Sequence, residues 1–100
     1  LISDSFGRPW RNGVVNVALG AAGIPSLVDR RGETDRMGRR LEVTQIAFAD
    51  AICAAAGLVM GEGAEGTPVV VVEGLAGRYP DAPQRDCGTL IRSPEEDLFQ

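Results

Sequence analysis

Four apolar runs, each bounded by glycine, proline or charged residues, predict the β-strands of this chain. Residues 1–3, 14–19 and 27–29 are short runs rich in Leu, Ile and Val. Segment 4–13 contains Gly and Pro, so the first strand is predicted to end where this segment begins. Residues 68–74 contain four consecutive valines between a Pro and a Gly. Such a run is typical of a buried strand.

A fifth stretch has the periodicity of a helix. Apolar residues recur three and four positions apart within an Ala-rich segment, which predicts a helix over residues 44–60. Asp50 interrupts its apolar surface and needs a partner if it is buried. Both a structural pairing and a role in a site are open for this residue. A helix that is apolar around most of its circumference normally packs against a sheet or a partner subunit.

The remaining segments are predicted to be mostly irregular. Residues 29–40 carry alternating charges without an apolar period and predict a surface loop. Residues 89–92 predict a last short element, and Ser93-Pro94 predicts a helix start. The order of elements favours an α+β fold, in which a mixed or antiparallel sheet packs on one long apolar helix. A parallel α/β sheet is the alternative.

Charge and composition narrow the classes of partner. The chain of 100 residues has 14 Asp and Glu against 10 cationic residues, all of them Arg, and a net charge of −4. A general nucleic-acid binder needs a basic face and is not expected. No apolar run approaches the roughly 20 residues that span a bilayer, so no membrane association is expected. A hydrophobic fraction of 44% is normal for a folded globular chain.

The two cysteines, Cys53 and Cys87, lie far apart and lack CxxC spacing. The chain has no His, so neither a Cys–His zinc site nor a Ser-His-Asp triad can form within it. Two free thiols in a cytoplasmic protein are favoured over a disulfide.

The segment "SDSFGRPWR" combines several residues that could carry chemistry. Asp4 and Ser5 are hard-oxygen donors of the kind that bind Mg²⁺ or Mn²⁺, although spacing alone favours a turn at a strand end. Arg8 and Arg11 flank a Pro-Trp pair and could clamp an anion with their forked guanidinium groups. Surface arginines beside a half-buried Trp10 are the simpler interpretation.

A glycine-rich acidic loop follows the predicted helix. Glycines in such a loop let backbone amides approach an anion. This loop follows a helix, however, whereas phosphate loops precede one, and it lacks the Gly-Lys-Ser/Thr of a Walker A motif. A helix end with two solvated glutamates, Glu62 and Glu65, is the alternative.

The order of these segments carries a family resemblance. The set SDSFGRPWRNG, ALGAAG, DRRGETDRMG, LEVTQIAFADAICAAAGLVMGEG, PVVVVEGL and EEDLF resembles the coenzyme F420-0:L-glutamate ligases, the γ-glutamyl ligases of the F420 pathway. The most specific pieces are residues 3–11, 58–61 and 95–99. The chain opens without Met, and the resemblance implies that residues 1–100 form the C-terminal portion of the ligase domain, with the N-terminal portion absent.

The resemblance implies a GTP-dependent, amide-bond-forming ligase that adds L-glutamate to F420-0 through an acyl phosphate, with further glutamates joined by γ linkages. It also implies Mg²⁺ or Mn²⁺, K⁺ as a helper, a homodimer in the cytoplasm and the α+β fold of the family. Two alternatives remain open. One is a non-catalytic dimerisation or nucleotide-binding module, and the other is a transferase activity on the same fold.

Residue roles follow from the same resemblance. Asp4 resembles a metal ligand and Ser5 the ligand of a second metal beside it, with Ser where the family often has Thr. Glu62 lies at a metal-binding position where many members have Gln. Arg8 and Arg11 are the expected substrate-binding residues. The catalytic base is not identified, and Asp50 and Glu62 are candidates for it. The expected nucleotide-binding segment is Met60, Gly61, Glu62, Gly63, Ala64, Glu65, Gly66 and Thr67.

Overall fold

A computed structural model describes residues 1–75, 77–84 and 86–92. Its elements are β1 (Ile2–Arg8), β2 (Arg11–Gly20), β3 (Val28–Asp29), β4 (Gln45–Ile46), α1 (Phe48–Met60) and a short 3-10 helix (Cys87–Leu90). β1 pairs with β2, and β3 pairs with β4, both antiparallel. One α-helix with antiparallel strands confirms the α+β class. The predicted helix start at Ser93 and the EEDLF segment lie outside the described residues.

The first strand is longer than the sequence pattern predicts. β1 runs through the predicted loop to Arg8, and only Pro9 and Trp10 separate it from β2. Proline suits the first turn position because its φ is already restricted, and Trp10 takes a φ of 57° at the second. Cross-strand pairing with β2 therefore overrides the loop signals of the Gly and Pro, since the Pro lies in the turn rather than in the ladder.

The charged segment after β3 is exposed, as predicted, but it is also ordered. It forms a hairpin arm closed by β3 and β4 at its base and by a bridge between Thr34 and Arg40 near its tip. The carboxylate of Asp35 accepts hydrogen bonds from the backbone amides of Met37 and Arg39, at 2.8 and 2.9 Å. These local bonds hold the turn without any contact with the core.

α1 begins at Phe48 rather than at the predicted residue 44, because the residues just before it pair with β3. The helix therefore has 13 residues. The amide of Ala49 donates to the carbonyl oxygen of Ser26 at 3.1 Å. This bond joins the first turn of α1 to the segment that leads into β3.

The core between α1 and the β1–β2 hairpin is small. Among the described residues, its central cluster consists of Ala18, Ala49, Cys53 and Cys87. Ser26 is fully buried beside it, and its hydroxyl donates to the carbonyl of Asp86 at 2.6 Å. The 3-10 helix is thereby tied to the segment before β3 by a buried polar contact. No helix among the described residues is both long and apolar enough to cross a bilayer.

The strand predicted at residues 68–74 is wrong for this structure. The segment belongs to no strand, and Val69 and Val71 are 77% and 80% exposed. A β-branched run forms a strand only where a neighbouring strand completes its hydrogen bonds, and the described residues provide no such neighbour.

Candidate functional site

Asp4 and Ser5 lie in the middle of β1, where their side chains leave opposite faces of the hairpin. Ser5 pairs with Asn16, a buried residue, and is itself partly buried. Asp4 pairs with Val17 and is exposed. One oxygen of the Asp4 carboxylate accepts a hydrogen bond from the amide of Ser5 at 2.8 Å. The second carboxylate oxygen makes no hydrogen bond within the described part of the chain, so it remains available to a ligand.

Polar contacts join the inner face of the hairpin to α1. The Asp50 carboxylate accepts a hydrogen bond from the backbone amide of Ala18 at 2.9 Å. Asn16 packs so closely on Gly57 that a Cβ there would lie 2.8 Å from the Asn16 Nδ2 atom. Asp50 thus has the structural pairing that the sequence left open. Its role as a catalytic base stays a prediction.

Arg8 and Arg11 are brought together at the end of the hairpin. They form its last cross-strand pair, and both are exposed. Arg8 donates from Nη2 to the carbonyl of Asn12 at 2.8 Å. Like charges directly opposite each other repel, and a bound anion would relieve that repulsion. Trp10, predicted as half-buried in the simpler interpretation, is 89% exposed beside them.

The acidic loop after α1 folds around its own carboxylate. Gly61 ends the helix with a φ of 74°, and its amide donates to the carbonyl of Gly57 at 2.9 Å. Glu65 folds back against Gly61 and accepts a hydrogen bond from the amide of Gly63 at 2.8 Å. The loop therefore presents at least one amide to an anion, and here that anion is internal. Glu62, in contrast, is exposed.

The predicted metal ligands are only part of a site. Their carboxylate and hydroxyl oxygens are of the kind that Mg²⁺ and Mn²⁺ prefer. However, no three His, Cys, Asp or Glu side chains converge on a common point among the described residues. Asp4 and Ser5 sit in a strand, while Glu62 follows α1. The arrangement fits a divalent metal in donor type and falls short in donor number.

Both cysteines are buried in the core and free of a disulfide. Burial raises the pKa of the Cys53 thiol, and the nearby Asp50 carboxylate raises it further. The pKa of Cys87 is raised for the same two reasons, in the same order. A raised pKa keeps a thiol protonated and weakly nucleophilic, so neither cysteine is suited to covalent catalysis.

Three polar contacts of the core escaped the sequence analysis: Asn16 against Gly57, Asp50 with Ala18, and Ser26 with Asp86. Each joins residues that are far apart in the chain, so local pattern does not reveal it. Two signals were available. Asp50 interrupts the apolar helix and needs a partner if it is buried, and a glycine in a helix interior costs stability and usually marks a close approach.

A cleft of about 470 Å³ lies beside α1 and the start of β1. The start of β1 lines one side, Ile52 and Met60 of α1 line another, and the valine run lines the third. Among the described residues that line it, the polar side chains are those of Ser3 and Cys53. A cleft of this character suits apolar groups and offers no charge to hold a phosphate or a carboxylate.

Comparison with known proteins places these features in a family. The family model of the F420-0:gamma-glutamyl ligases matches residues 1–74. The coenzyme F420:L-glutamate ligase of Methanopyrus kandleri is 47% identical over 102 residues, covering 100% of this chain and 40% of the relative. The ligase of the same name from Methanocaldococcus jannaschii is 47% identical over 100 residues, covering 100% of this chain and 39% of the relative.

A third relative of that name, from Halobacterium salinarum, is 56% identical over 72 residues, covering 72% of this chain and 28% of the relative. The chain thus spans about two fifths of the length of the first two relatives. The family match covers the β1–β2 hairpin, the arm, α1 and the acidic loop. The chain belongs to the F420-0:gamma-glutamyl ligase family.

Proposed function

We propose that this chain is part of an enzyme, a ligase that joins L-glutamate to coenzyme F420-0 through an amide bond. The observation that carries the proposal is 47% identity, over the whole chain, to proteins named for this activity. We propose further that residues 1–100 are the C-terminal portion of the ligase domain. In this proposal they adopt part of the family fold and work as a homodimer in the cytoplasm.

The proposed reaction uses GTP to activate a carboxylate. A carboxylate oxygen of F420-0 attacks the γ-phosphorus of GTP, and the bond to the bridging oxygen breaks, which releases GDP and forms an acyl phosphate. The amine of L-glutamate then attacks the acyl carbon. The C–N bond forms, inorganic phosphate leaves, and the amine loses a proton to a base. Later cycles would add glutamates through γ linkages.

Asp4 would contribute to holding one Mg²⁺ or Mn²⁺ and Ser5, whose side chain leaves the other face of β1, a second; Glu62 would be a further ligand, with K⁺ as a helper. A divalent metal supplies charge that neutralises phosphate oxygens and aligns them for displacement. The described residues provide only part of the ligand set, so the remaining ligands would come from elsewhere in the ligase. The free oxygen of the Asp4 carboxylate is the feature that supports its role.

Arg8 and Arg11 would bind the carboxylates or phosphate of the F420 substrate. Their cross-strand pairing supports this role, since it presents two guanidinium groups side by side at an exposed hairpin end. An Arg8→Gln variant of the full-length ligase should raise KM for F420-0 by about tenfold, the loss of one charge-assisted hydrogen bond. An unchanged KM would remove the substrate-binding role.

The loop Met60–Thr67 would contact the guanine nucleotide, and Glu65 gives a direct test of this assignment. In the present conformation its carboxylate occupies the amide of Gly63. A phosphate approaching that amide must displace a like charge, so Glu65→Gln should lower Kd for GDP severalfold, about 1 kcal/mol. Isothermal titration in Mn²⁺ would measure it. Glu73→Gln, another exposed carboxylate, is the control, and equal effects of the two would contradict the assignment.

A second candidate is a non-catalytic dimerisation or nucleotide-binding module. The incomplete metal ligand set favours it for the chain in isolation. The activity assay is direct: the full-length protein is incubated with F420-0, L-glutamate, GTP and Mn²⁺, and the product is identified by mass. A product heavier by one glutamyl residue, dependent on GTP, supports the ligase. Absence of that product under conditions in which the Methanopyrus kandleri ligase forms it would overturn the proposal.

A further inference from the structure

The valine run, residues 68–74, is chemically out of place on a surface. Val69, Val71 and Val72 are 77%, 80% and 42% exposed. Consecutive β-branched residues are typical of strands buried in a sheet, and such exposure of neighbouring valines is unfavourable in water. The run therefore has the composition of an internal strand but is exposed to solvent.

The backbone of the run is also unpaired within the described part of the chain. Within the described part of the chain, residues 67–74 make no backbone–backbone hydrogen bond. Backbone amides and carbonyls are almost always paired once they are buried, so a run of this composition needs a partner strand before it can leave water. Strand addition along an open edge supplies those hydrogen bonds in register.

The neighbouring surfaces are also apolar and uncovered. The cleft of about 470 Å³ lies directly against the run. On the outer face of the hairpin, Phe6 and Leu19 are 61% and 60% exposed. The radius of gyration is 15.1 Å, against about 13 Å for a compact domain of this length. The described chain is thus less compact than a domain of its length and leaves apolar surface uncovered.

Two occupants could cover these surfaces. A second copy could pair its own run with this one, but each copy would bring another apolar cleft and another exposed hairpin face. The Methanopyrus kandleri relative, in contrast, has about 60% of its own sequence outside the part matched by this chain, since the match covers 40% of it. That additional sequence is long enough to supply both a partner strand and side chains for the cleft.

We propose that residues 69–72 form a β-strand in the full-length ligase by pairing with a strand from the part of the ligase outside this chain, and that apolar side chains from the same part fill the adjacent cleft. The family membership of the chain supports this inference, and it does not depend on the ligase reaction. The valine run is then an internal seam of the ligase.

The test compares two matched variants of the full-length ligase. Val71→Asp introduces a charge into the proposed seam, and Val43→Asp introduces the same charge at a valine of the arm that is 85% exposed. The first should lower the melting temperature by about 5 °C or more, because an unpaired charge is buried, and the second should change it little. Equal, small shifts would overturn the proposal.

Amide hydrogen exchange of the full-length ligase provides a second measurement that is independent of folding defects in a variant. The amides of residues 69–72 should exchange at least ~100-fold more slowly than those of the arm tip, residues 36–39, because strand pairing protects them. Exchange as fast as at the arm tip would overturn the proposal. So would a homodimer in which the protection of these amides disappears on dilution to monomer, because the partner would then be a second copy.

Discussion

The two faces of the β1–β2 hairpin differ in a way that reverses the usual pattern. The inner face, against α1, is buried but carries small and polar residues, with Asn16 and Ala18 only 7% and 8% exposed. The outer face carries larger apolar residues, with Phe6 and Leu19 61% and 60% exposed. Size and apolarity normally mark the buried side of a sheet, so the outer face has the composition of an interface.

The difference separates two kinds of stabilisation. Small residues on the inner face let α1 approach the hairpin closely, and the Asp50 carboxylate fixes the arrangement by accepting a hydrogen bond from the amide of Ala18. The outer face has apolar area and no covering layer in the described residues. It also carries Asp4, an exposed carboxylate among apolar neighbours. A carboxylate in an otherwise apolar interface needs a ligand or partner, which agrees with the proposed metal role.

The sharpest way to test the outer face is to neutralise Asp4. In the full-length ligase, Asp4→Asn should reduce kcat/KM about 1000-fold, since metal-held charge stabilisation is worth several kcal/mol. The melting temperature should stay close to that of the wild type, because Asp4 makes only a local hydrogen bond. Glu42→Gln, at an exposed carboxylate of the arm, is the control and should keep full activity. Matching activity in the two variants would show that Asp4 is only a surface residue.

The inner face is tested by removing its acceptor. Asp50→Ala should lower the free energy of unfolding by about 1–3 kcal/mol, because the buried amide of Ala18 loses its partner. Asp35→Ala removes a carboxylate that also accepts from backbone amides, but on the exposed arm, so its cost should be smaller. Urea denaturation of both variants measures the difference. A larger decrease in the free energy of unfolding for Asp35→Ala would contradict the conclusion that the inner-face hydrogen bond contributes more to stability than the bonds of the arm.

The contrast between the faces also explains which elements could be predicted from the sequence. The helix and the α+β class rest on local periodicity, and both were found. The first strand was predicted too short because Gly7 and Pro9 are local loop signals, whereas pairing with β2 is a long-range effect. The run at residues 68–74 was predicted as a strand from its composition. Composition indicates that a segment can form a strand, but a strand also needs a neighbour to pair with, and the described residues provide none.

The candidate site shows the same limit. Sequence and family resemblance singled out Asp4, Ser5 and Glu62, but the alternation of β1, which sends the first two to opposite faces, follows only from the strand's extension. The internal bond of Glu65 depends on how one loop closes. Neither could be read from residue spacing, because both depend on backbone geometry set by neighbouring elements.

The smallest expected effect concerns the two buried thiols between the inner face of the hairpin and α1. Burial, and next the Asp50 carboxylate, raise the pKa values of Cys53 and Cys87 above their ordinary value of 9.0. Above this pH the unfolded chain loses thiol protons that the folded chain keeps, so stability should be complete below pH 9 and decline as the pH rises through the folded-state pKa values. The limiting slope is about 1.4 kcal/mol per pH unit for each cysteine.

Urea denaturation between about pH 7.5 and 10.5 would measure this decline in the full-length protein and in its Cys53→Ala/Cys87→Ala variant. The variant should be less stable at neutral pH, because small cavities replace the sulfur atoms, but its stability should fall less steeply with pH. Tyrosine and other alkaline groups titrate in both proteins and cancel in the comparison. Parallel profiles would mean that the two thiols have ordinary pKa values in the folded protein. The contact between the inner face and α1 would then not exclude water.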